Sequence, residues 1–287
     1  MHAKQDKITV PAIQEFKKTG KKLVACTAYD YTMAAIADAA GIDLILVGDS
    51  VGTVIQGEEN TISVTLEEML YHCRCVSKAV SRALVVGDLP FMSYQPSIQT
   101  AVESACRMLK EGKVSAVKLE GGIAVYDTIA RLTELDIPVV GHIGLTPQSY
   151  HRMGGHKKQG LERGNGAKAG SRERIMADAR AVANAGAFAV VLEGIPADLA
   201  YEISVELEIP TIGIGAGSDC SGQILVINDL LGLCVQSPPS FVKQYANFAN
   251  DAVKALRQYS EEVKSGEFPI KGAKVKPLGN GQRLSRI

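Results

Sequence analysis

No sign of charge predominates in this chain: 31 lysines and arginines stand against 31 aspartates and glutamates. Such a balance gives no field to gather nucleic acid or anionic lipid, so a small molecule is the expected partner. No apolar run reaches the roughly 18 residues of a membrane-spanning helix. The opening residues Met1-His-Ala-Lys-Gln-Asp-Lys lack the apolar core of a secretion signal, and they are short of the Arg and Ser of a transit peptide. Residence in the cytoplasm is therefore expected. The six cysteines (Cys26, Cys73, Cys75, Cys106, Cys220 and Cys234) show no C-x-x-C spacing, which argues against zinc or disulfides and for reduced packing residues. Nor does a G-x-G-x-x-G follow the first expected strand, where a dinucleotide-binding fold would carry it.

What is present is an ordinary globular composition, 46% apolar and 22% charged, with a phrase that repeats. Leu44-Ile-Leu-Val-Gly-Asp-Ser50 opens with four consecutive apolar residues, too few for a free-standing helix and without polar alternation. That pattern marks a strand buried on both faces of a parallel sheet. Ala83-Leu-Val-Val-Gly-Asp88, Val117-Lys-Leu-Glu120 and Ala189-Val-Val-Leu-Glu193 repeat it, each ending in an acid beside glycine. Parallel strands bring their carboxyl ends to one face, so these acids are expected to meet there.

Strands are expected at 23–29, 44–49, 83–88, 115–120, 139–143, 188–193 and 209–217, alternating with helices at 31–40, from Thr65, 97–111, 124–135, 171–185 and 197–207. Thr65 with Glu68 reads as a capping box, and residues 8–20 as a short amphipathic helix plugging the closed end of a barrel. The apolar run within Gly222–Leu231 is ambiguous. It is taken as a short helix, leaving Leu233–Gln236 as the eighth strand and Ser240–Lys264 as a long amphipathic helix. The connection 144–170 carries seven glycines and reads as a lid. Strict alternation allows a closed barrel or an open doubly wound sheet. The barrel is favoured because polar groups from strands two to six can meet at one centre only in a ring. Residues 1–268 are expected to form that single α/β domain, with 269–287 a tail.

Asp49, Asp88 and Glu120 offer hard oxygens without His or Cys nearby, the donor set for magnesium or manganese. Capping of the following helices, or plain exposure, is the alternative for any one of them. Lys118 lies two residues before Glu120 and so faces the same side of its strand. It suits a substrate carboxylate, or else an internal ion pair with Glu120 or Asp88. His142 stands at a strand end, a packing residue or a substrate contact. Glu193, expected against apolar walls, could serve as a proton-abstracting base or as one more ligand. The set fits enolisation of a 2-oxo acid held by a cation. The basic residues Lys157, Lys158, Arg163, Lys168, Arg172 and Arg174 form either a solvated run or an anion-attracting patch on the expected lid.

These residues resemble the ketopantoate hydroxymethyltransferase family. The resemblance runs through Thr27-Ala-Tyr-Asp-Tyr, Leu46-Val-Gly-Asp-Ser, Gly87-Asp-Leu-Pro-Phe-Met, Val117-Lys-Leu-Glu-Gly-Gly, Gly141-His-Ile-Gly-Leu-Thr-Pro-Gln-Ser, Val191-Leu-Glu and Ile212-Gly-Ile-Gly-Ala-Gly to Gly222-Gln-Ile-Leu-Val, over about residues 8–268. It implies a (β/α)8 TIM barrel of the phosphoenolpyruvate/pyruvate superfamily type, dependence on Mg2+, and a homodecamer. The implied reaction moves a hydroxymethyl group from 5,10-methylenetetrahydrofolate to 3-methyl-2-oxobutanoate, giving 2-dehydropantoate for pantothenate and coenzyme A synthesis. On that resemblance Asp49 and Asp88 match the metal ligands, with Glu120 the third acid. Ser50 and Lys118 match the keto-acid contacts, Glu193 the base and His142 an active-site histidine. A carbon–carbon lyase of the same superfamily is the rival, though its Lys-Lys-Cys-Gly-His loop is lacking. A barrel retained only for binding is the non-enzyme rival.

Overall fold

The computed structural model describes residues 6–161, 170–234 and 237–270. By its contacts the chain divides into a unit ending at Leu225 and a second beginning at Val226. Of the expected tail, residues 271–287 lie outside the described residues.

The first unit is a closed, all-parallel barrel of eight strands in sequence order: β1 (Leu23–Thr27), β2 (Leu44–Val47), β3 (Leu84–Asp88), β4 (Ala116–Glu120), β5 (Val139–Gly144), β6 (Ala189–Glu193), β7 (Thr211–Ile214) and β8 (Gly222–Leu225). Helix α1 (Val10–Thr19) precedes the strands; α2 (Tyr31–Ala39), α3 (Leu66–Ala79), α4 (Ile98–Lys110), α5 (Tyr126–Glu134), the short α6 (Tyr150–Met153), α7 (Arg172–Asn184) and α8 (Ala197–Glu206) lie between them. Thr65 and Glu68 make the reciprocal capping box that starts α3, satisfying two of its otherwise free N–H groups. Its stripe of Met69, Leu70, Cys73 and Val76 is buried.

The barrel interior is filled by one side chain in two along each strand: Leu44 and Leu46, Leu84 and Val86, Ala116, Val140, Ala189 and Val191 share one apolar cluster with Ile13 of α1. Ile13 is fully buried, and Ile8, Val10 and Phe16 pack on the same cluster, so α1 plugs the amino-terminal end as expected. Continuing the same two-residue step upward gives Asp88, Lys118, Glu120, His142 and Glu193. These five face inward because they are in phase with the core, whereas Asp49, two residues beyond the end of β2, is out of that step.

Two expectations are corrected. The eighth strand is Gly222–Leu225, where Gly222 to Leu225 pair with Leu23 to Cys26 of β1 and Gly222 and Gln223 with β7. A side chain at position 222 would come within 2.4 Å of the Leu23 carbonyl oxygen, so the glycine is what lets β8 close against β1. Leu233 and Cys234 are not in a strand; Val235 and Gln236 lie outside the described residues. In the second unit, the helix after α9 (Ile227–Leu230) is α10 (Phe248–Ser265), which begins eight residues later than Ser240. The N–H groups of Tyr245, Phe248 and Ala249 go to the carbonyls of Leu230, Leu231 and Gly232, which takes them out of the helical ladder.

At the amino-terminal side, Asp38 of α2 is buried and its carboxylate accepts from the backbone N–H groups of Ser81 (2.8 Å) and Ala83 (2.7 Å), from Arg82, and from the Ser81 hydroxyl. Burial opposes ionisation, yet these donors outweigh it and hold the carboxyl below its ordinary 3.8. A group lowered in this way stabilises the fold above its unfolded pKa and loses that contribution as pH falls through its folded value. Asp38→Ala strands several buried donors and is expected to lower stability by about 3 kcal/mol. Urea unfolding at pH 7 and pH 3 checks this, the parent–variant gap shrinking at the lower pH; an equal gap at both overturns it.

Candidate active site

Every sequence-assigned site residue lies at the carboxyl ends of β2 to β6, and all but Ser50 and Glu193 are buried. Asp49 follows β2 and its backbone N–H donates to Asp88 Oδ2 at 3.0 Å. Lys118 Nζ is 2.9 Å from Asp88 Oδ1 and 3.2 Å from His142 Nδ1. His142 stands opposite Glu120 in the β4–β5 register; its Nδ1 is 3.4 Å from Glu120 Oε1 and its Nε2 3.1 Å from Glu193 Oε2. A continuous line therefore runs from Asp88 through Lys118 and His142 to Glu193. Ser50 shares a hydrogen bond of 2.7 Å with the Tyr29 hydroxyl, so its side chain is tied to the end of β1.

Burial pushes the Asp49 carboxyl up to about 8, helped by the charges of Asp88 and Glu120 and opposed by Lys118 and a Gln148 hydrogen bond. Asp88 is raised for the same first reason, with Lys118 pulling the other way. Glu120 goes down: burial resists, but His142, Lys118 and the Gln148 backbone prevail. Burial and the Lys118 charge resist protonation of His142, yet its bonds to Glu120 and Glu193 lift it to about 9. For Lys118, burial is outweighed by Asp88, Glu120 and Asp49, so the ammonium is held charged.

Two expectations about Lys118 and Glu193 change in form. The ammonium is committed to Asp88 at 2.9 Å, with the His142 ring 3.2 Å away, and the N–H donors not given to Asp88 remain for a substrate carboxylate. Glu193 meets an imidazole rather than only apolar walls, and its side chain is 21% exposed, against 3% for Glu120. It is thus the acid that a bound molecule can reach. Gly144 makes this possible: at φ +94, a Cβ there would lie 2.3 Å from the Glu193 carbonyl oxygen, so only glycine lets β5 and β6 stay paired at their lips.

Among the described residues, no three His, Cys, Asp or Glu side chains converge closely enough to hold an ion by themselves. Magnesium does not ask for that, since it keeps several waters and takes one or two carboxylates. Asp88 Oδ1 and Glu120 Oε1 are buried and accept no aligned hydrogen bond, although Lys118 and His142 stand near them. Buried oxygens left in that state suit a cation or its water shell. The hard oxygens of Asp49, Asp88 and Glu120, at three neighbouring strand ends, are a donor set that a divalent ion would suit.

Sequence reasoning missed Tyr29, Tyr94 and Gln148. Tyr94 is buried and accepts from the Glu120 N–H at 3.1 Å. Gln148 donates to Asp49 Oδ2 at 2.8 Å. The only sequence signal for Gln148 was its place in Gly141-His-Ile-Gly-Leu-Thr-Pro-Gln-Ser. A cavity of about 440 Å³ opens beside the acids and touches them at Glu120 and Gln148, with Tyr94, Arg152 and Met153 on its other walls. Of the six basic residues on and after the loop, Arg163 and Lys168 lie outside the described residues. Arg172 is paired with Asp198 and Glu202, and Arg174 with Asp178, so among the described residues these two are already engaged by carboxylates. The segment 162–169 of the expected lid also lies outside the described residues.

Ionisable groups gathered at the carboxyl ends of the strands, where barrels of this kind keep their chemistry, make the protein an α/β-barrel enzyme. Its fold is that of phosphonopyruvate hydrolase, solved with oxalate and Mg++ (TM-score 0.59, 14% identity, 94% of this chain and 92% of that one). It is equally that of 2,3-dimethylmalate lyase, a member of the PEP mutase/isocitrate lyase superfamily (TM-score 0.57, 16% identity, 93% and 91%). Residues 7–271 match the sequence model of the family described as ketopantoate hydroxymethyltransferase, and the chain belongs to that family. It is 55% identical to the 3-methyl-2-oxobutanoate hydroxymethyltransferase of Trichlorobacter lovleyi over 92% of this chain and 96% of that one. It is 54% identical to the enzyme of the same name from Geobacter sulfurreducens, over 92% and 97%. No helix among the described residues is long and apolar enough to cross a membrane.

Proposed function

We propose that this enzyme transfers a hydroxymethyl group from 5,10-methylenetetrahydrofolate to 3-methyl-2-oxobutanoate, giving 2-dehydropantoate for pantothenate and coenzyme A synthesis. The observation that carries the reading is the half-open Glu193 at the end of the line from Asp88 through Lys118 and His142. A base that bound molecules can reach stands across the barrel from the acids suited to a divalent ion. That is the layout for removing a proton next to a polarised carbonyl.

Asp49 and Asp88, with Glu120 through water, would hold the ion. When bound, it supplies Lewis-acid polarisation of the keto oxygen and neutralises the acids around it. Lys118 directs an N–H not given to Asp88 to the substrate carboxylate, and Ser50, held by Tyr29, offers its hydroxyl on the β2 side. Glu193 takes the proton from C3, and the carbon left with the electron pair bonds to the methylene carbon of the donor. Both C–N bonds of that carbon break as tetrahydrofolate leaves. Water supplies the hydroxyl oxygen and the protons of the two folate nitrogens, and the proton held by Glu193 ends on the new hydroxyl. His142, whose Nε2 lies 3.1 Å from Glu193 Oε2, pairs with that carboxylate by charge and stabilises it before the proton arrives. Magnesium as the ion, cytoplasmic residence and a ten-subunit ring are the finer expectations that go with this reading.

The test supplies 3-methyl-2-oxobutanoate, methylenetetrahydrofolate and Mg2+, and looks for ketopantoate by mass. Product only when all three are present is the expected result. Cleavage of a branched 2-hydroxy acid without folate would instead make the protein a lyase of the same fold, and no turnover of either would leave a binding barrel.

A further inference from the structure

Gln148 sits on the short turn Pro147–Ser149 that follows β5, and it is 6% exposed. Its Nε2 donates to Asp49 Oδ2 at 2.8 Å and to the Leu89 carbonyl at 3.0 Å. Its Oε1 faces the Tyr94 hydroxyl at 2.8 Å and Gln95 Nε2 at 3.0 Å. The orientation of the amide is settled by these neighbours. A carboxylate and a carbonyl can only accept, so they require the Nε2 side. Gln95 cannot turn its own amide round either, because its Oε1 takes the Met92 N–H at 2.6 Å. Both donors and the acceptor oxygen are used, which makes the side chain a fixed strut among β2, β3 and the turn after β5. The backbone N–H of the same residue donates to Glu120 Oε2 at 3.0 Å.

One residue thus takes one oxygen from each of two acids, Asp49 and Glu120, and leaves Asp49 Oδ1 and Glu120 Oε1 for something else. Glu120 Oε1 is among the buried oxygens that accept no aligned hydrogen bond. We propose that Gln148 is a positioning residue for the divalent ion: it fixes which oxygen of Asp49 and which of Glu120 turns towards the centre. The proposal rests on the reading that Asp49 and Asp88 hold such an ion. Residues that orient metal ligands from behind act on affinity through geometry without touching the ion, because an unheld carboxylate must be ordered at the moment of binding.

The test is Mn2+ binding without substrates, followed by the paramagnetic resonance signal of free Mn2+, for the parent, Gln148→Met and Tyr94→Phe. Methionine keeps the length, the apolar bulk and the backbone N–H while removing every side-chain hydrogen bond. The Mn2+ Kd of Gln148→Met is expected to rise by about 10- to 100-fold in protein still folded at the assay temperature, beside the fall in melting temperature that losing buried hydrogen bonds brings. Tyr94→Phe removes one bond to Gln148 and is expected to show a smaller rise, about threefold or more. A merely structural role for Gln148 would lower the melting temperature and leave the Kd unchanged. Parent-like Kd in folded Gln148→Met overturns the proposal; should that variant not fold, parent-like Kd in Tyr94→Phe does so. A parent that binds no Mn2+ removes the metal reading and this proposal together, whereas binding by the parent with no change in the variants removes this one alone.

Discussion

Glu193→Gln is expected to bind 3-methyl-2-oxobutanoate and divalent ion as the parent does, while exchange of its C3 proton for deuterium falls by about 10²- to 10⁴-fold. The asymmetry follows from where Glu193 stands. It stands 3.1 Å from His142 and is paired with neither Lys118 nor the ion-holding acids, so the neutral amide removes a proton acceptor and leaves the binding groups in place. The amide can still accept from the His142 ring at the same 3.1 Å contact, which keeps the lip of β6 in register with β5. Nuclear magnetic resonance of the keto acid in D2O reads exchange, and a titration reads binding. Exchange at the parent rate in Glu193→Gln would take the base role away from this residue, and weakened keto-acid binding with normal exchange per bound molecule would make it a contact instead.

The second expected result concerns pH and the ion. Metal-free protein should become less stable as pH rises from 5 to 8, and a saturating level of Mg2+ should raise its melting temperature much more at pH 8 than at pH 5. Asp49 is pushed from 3.8 to about 8 in the folded protein. Between those values the folded state keeps a proton that the unfolded chain has released, so stability falls with pH across that window. Asp88 is shifted the same way. His142, raised from 6.5 to about 9, adds to the fall from 6.5 upward, because a base with a raised pKa stabilises the fold below its unfolded value. Glu120 is shifted down from 4.5 and acts below this window. A shift of 8 − 3.8, or about 4.2 units, at 1.36 kcal/mol each bounds the Asp49 contribution at roughly 6 kcal/mol. Bound Mg2+ takes the place of that proton, and a gain at pH 8 of roughly 5 °C or more is expected. Metal-free stability that rises from pH 5 to 8, or an Mg2+ gain equal at the two, would count against the cluster.

Much of the site was legible because strands run with a period of two. Lys118 and Glu120 had to share a face, and Asp88 and Glu193 close runs in phase with the barrel's apolar cluster. The eighth strand was not legible in the same way. Gln223-Ile-Leu and Leu233-Cys-Val are both short apolar runs, and what separates them is pairing with Leu23 to Cys26, some 200 residues earlier in the chain. No local pattern carries that register. The start of α10 was misplaced for a related reason. Its expected first turns are apolar enough for helix, but there the N–H of Val242 goes to the Pro239 carbonyl and that of Tyr245 to the Leu230 carbonyl at the end of α9.

The sequence by itself determined which residues are acids, bases and glycines, that they end buried parallel strands, and that Asp88, Lys118, Glu120, His142 and Glu193 point inward. These are consequences of covalent geometry and of apolar burial within a few residues. Only the tertiary structure decided which of these side chains meet. Closure of the ring sets His142 between Glu120 and Glu193, ties Lys118 to Asp88, and brings Gln148 up behind Asp49. Hydrogen bonds of this kind act over about 3 Å, so they depend on how the strands are staggered around the barrel rather than on any single stretch of chain.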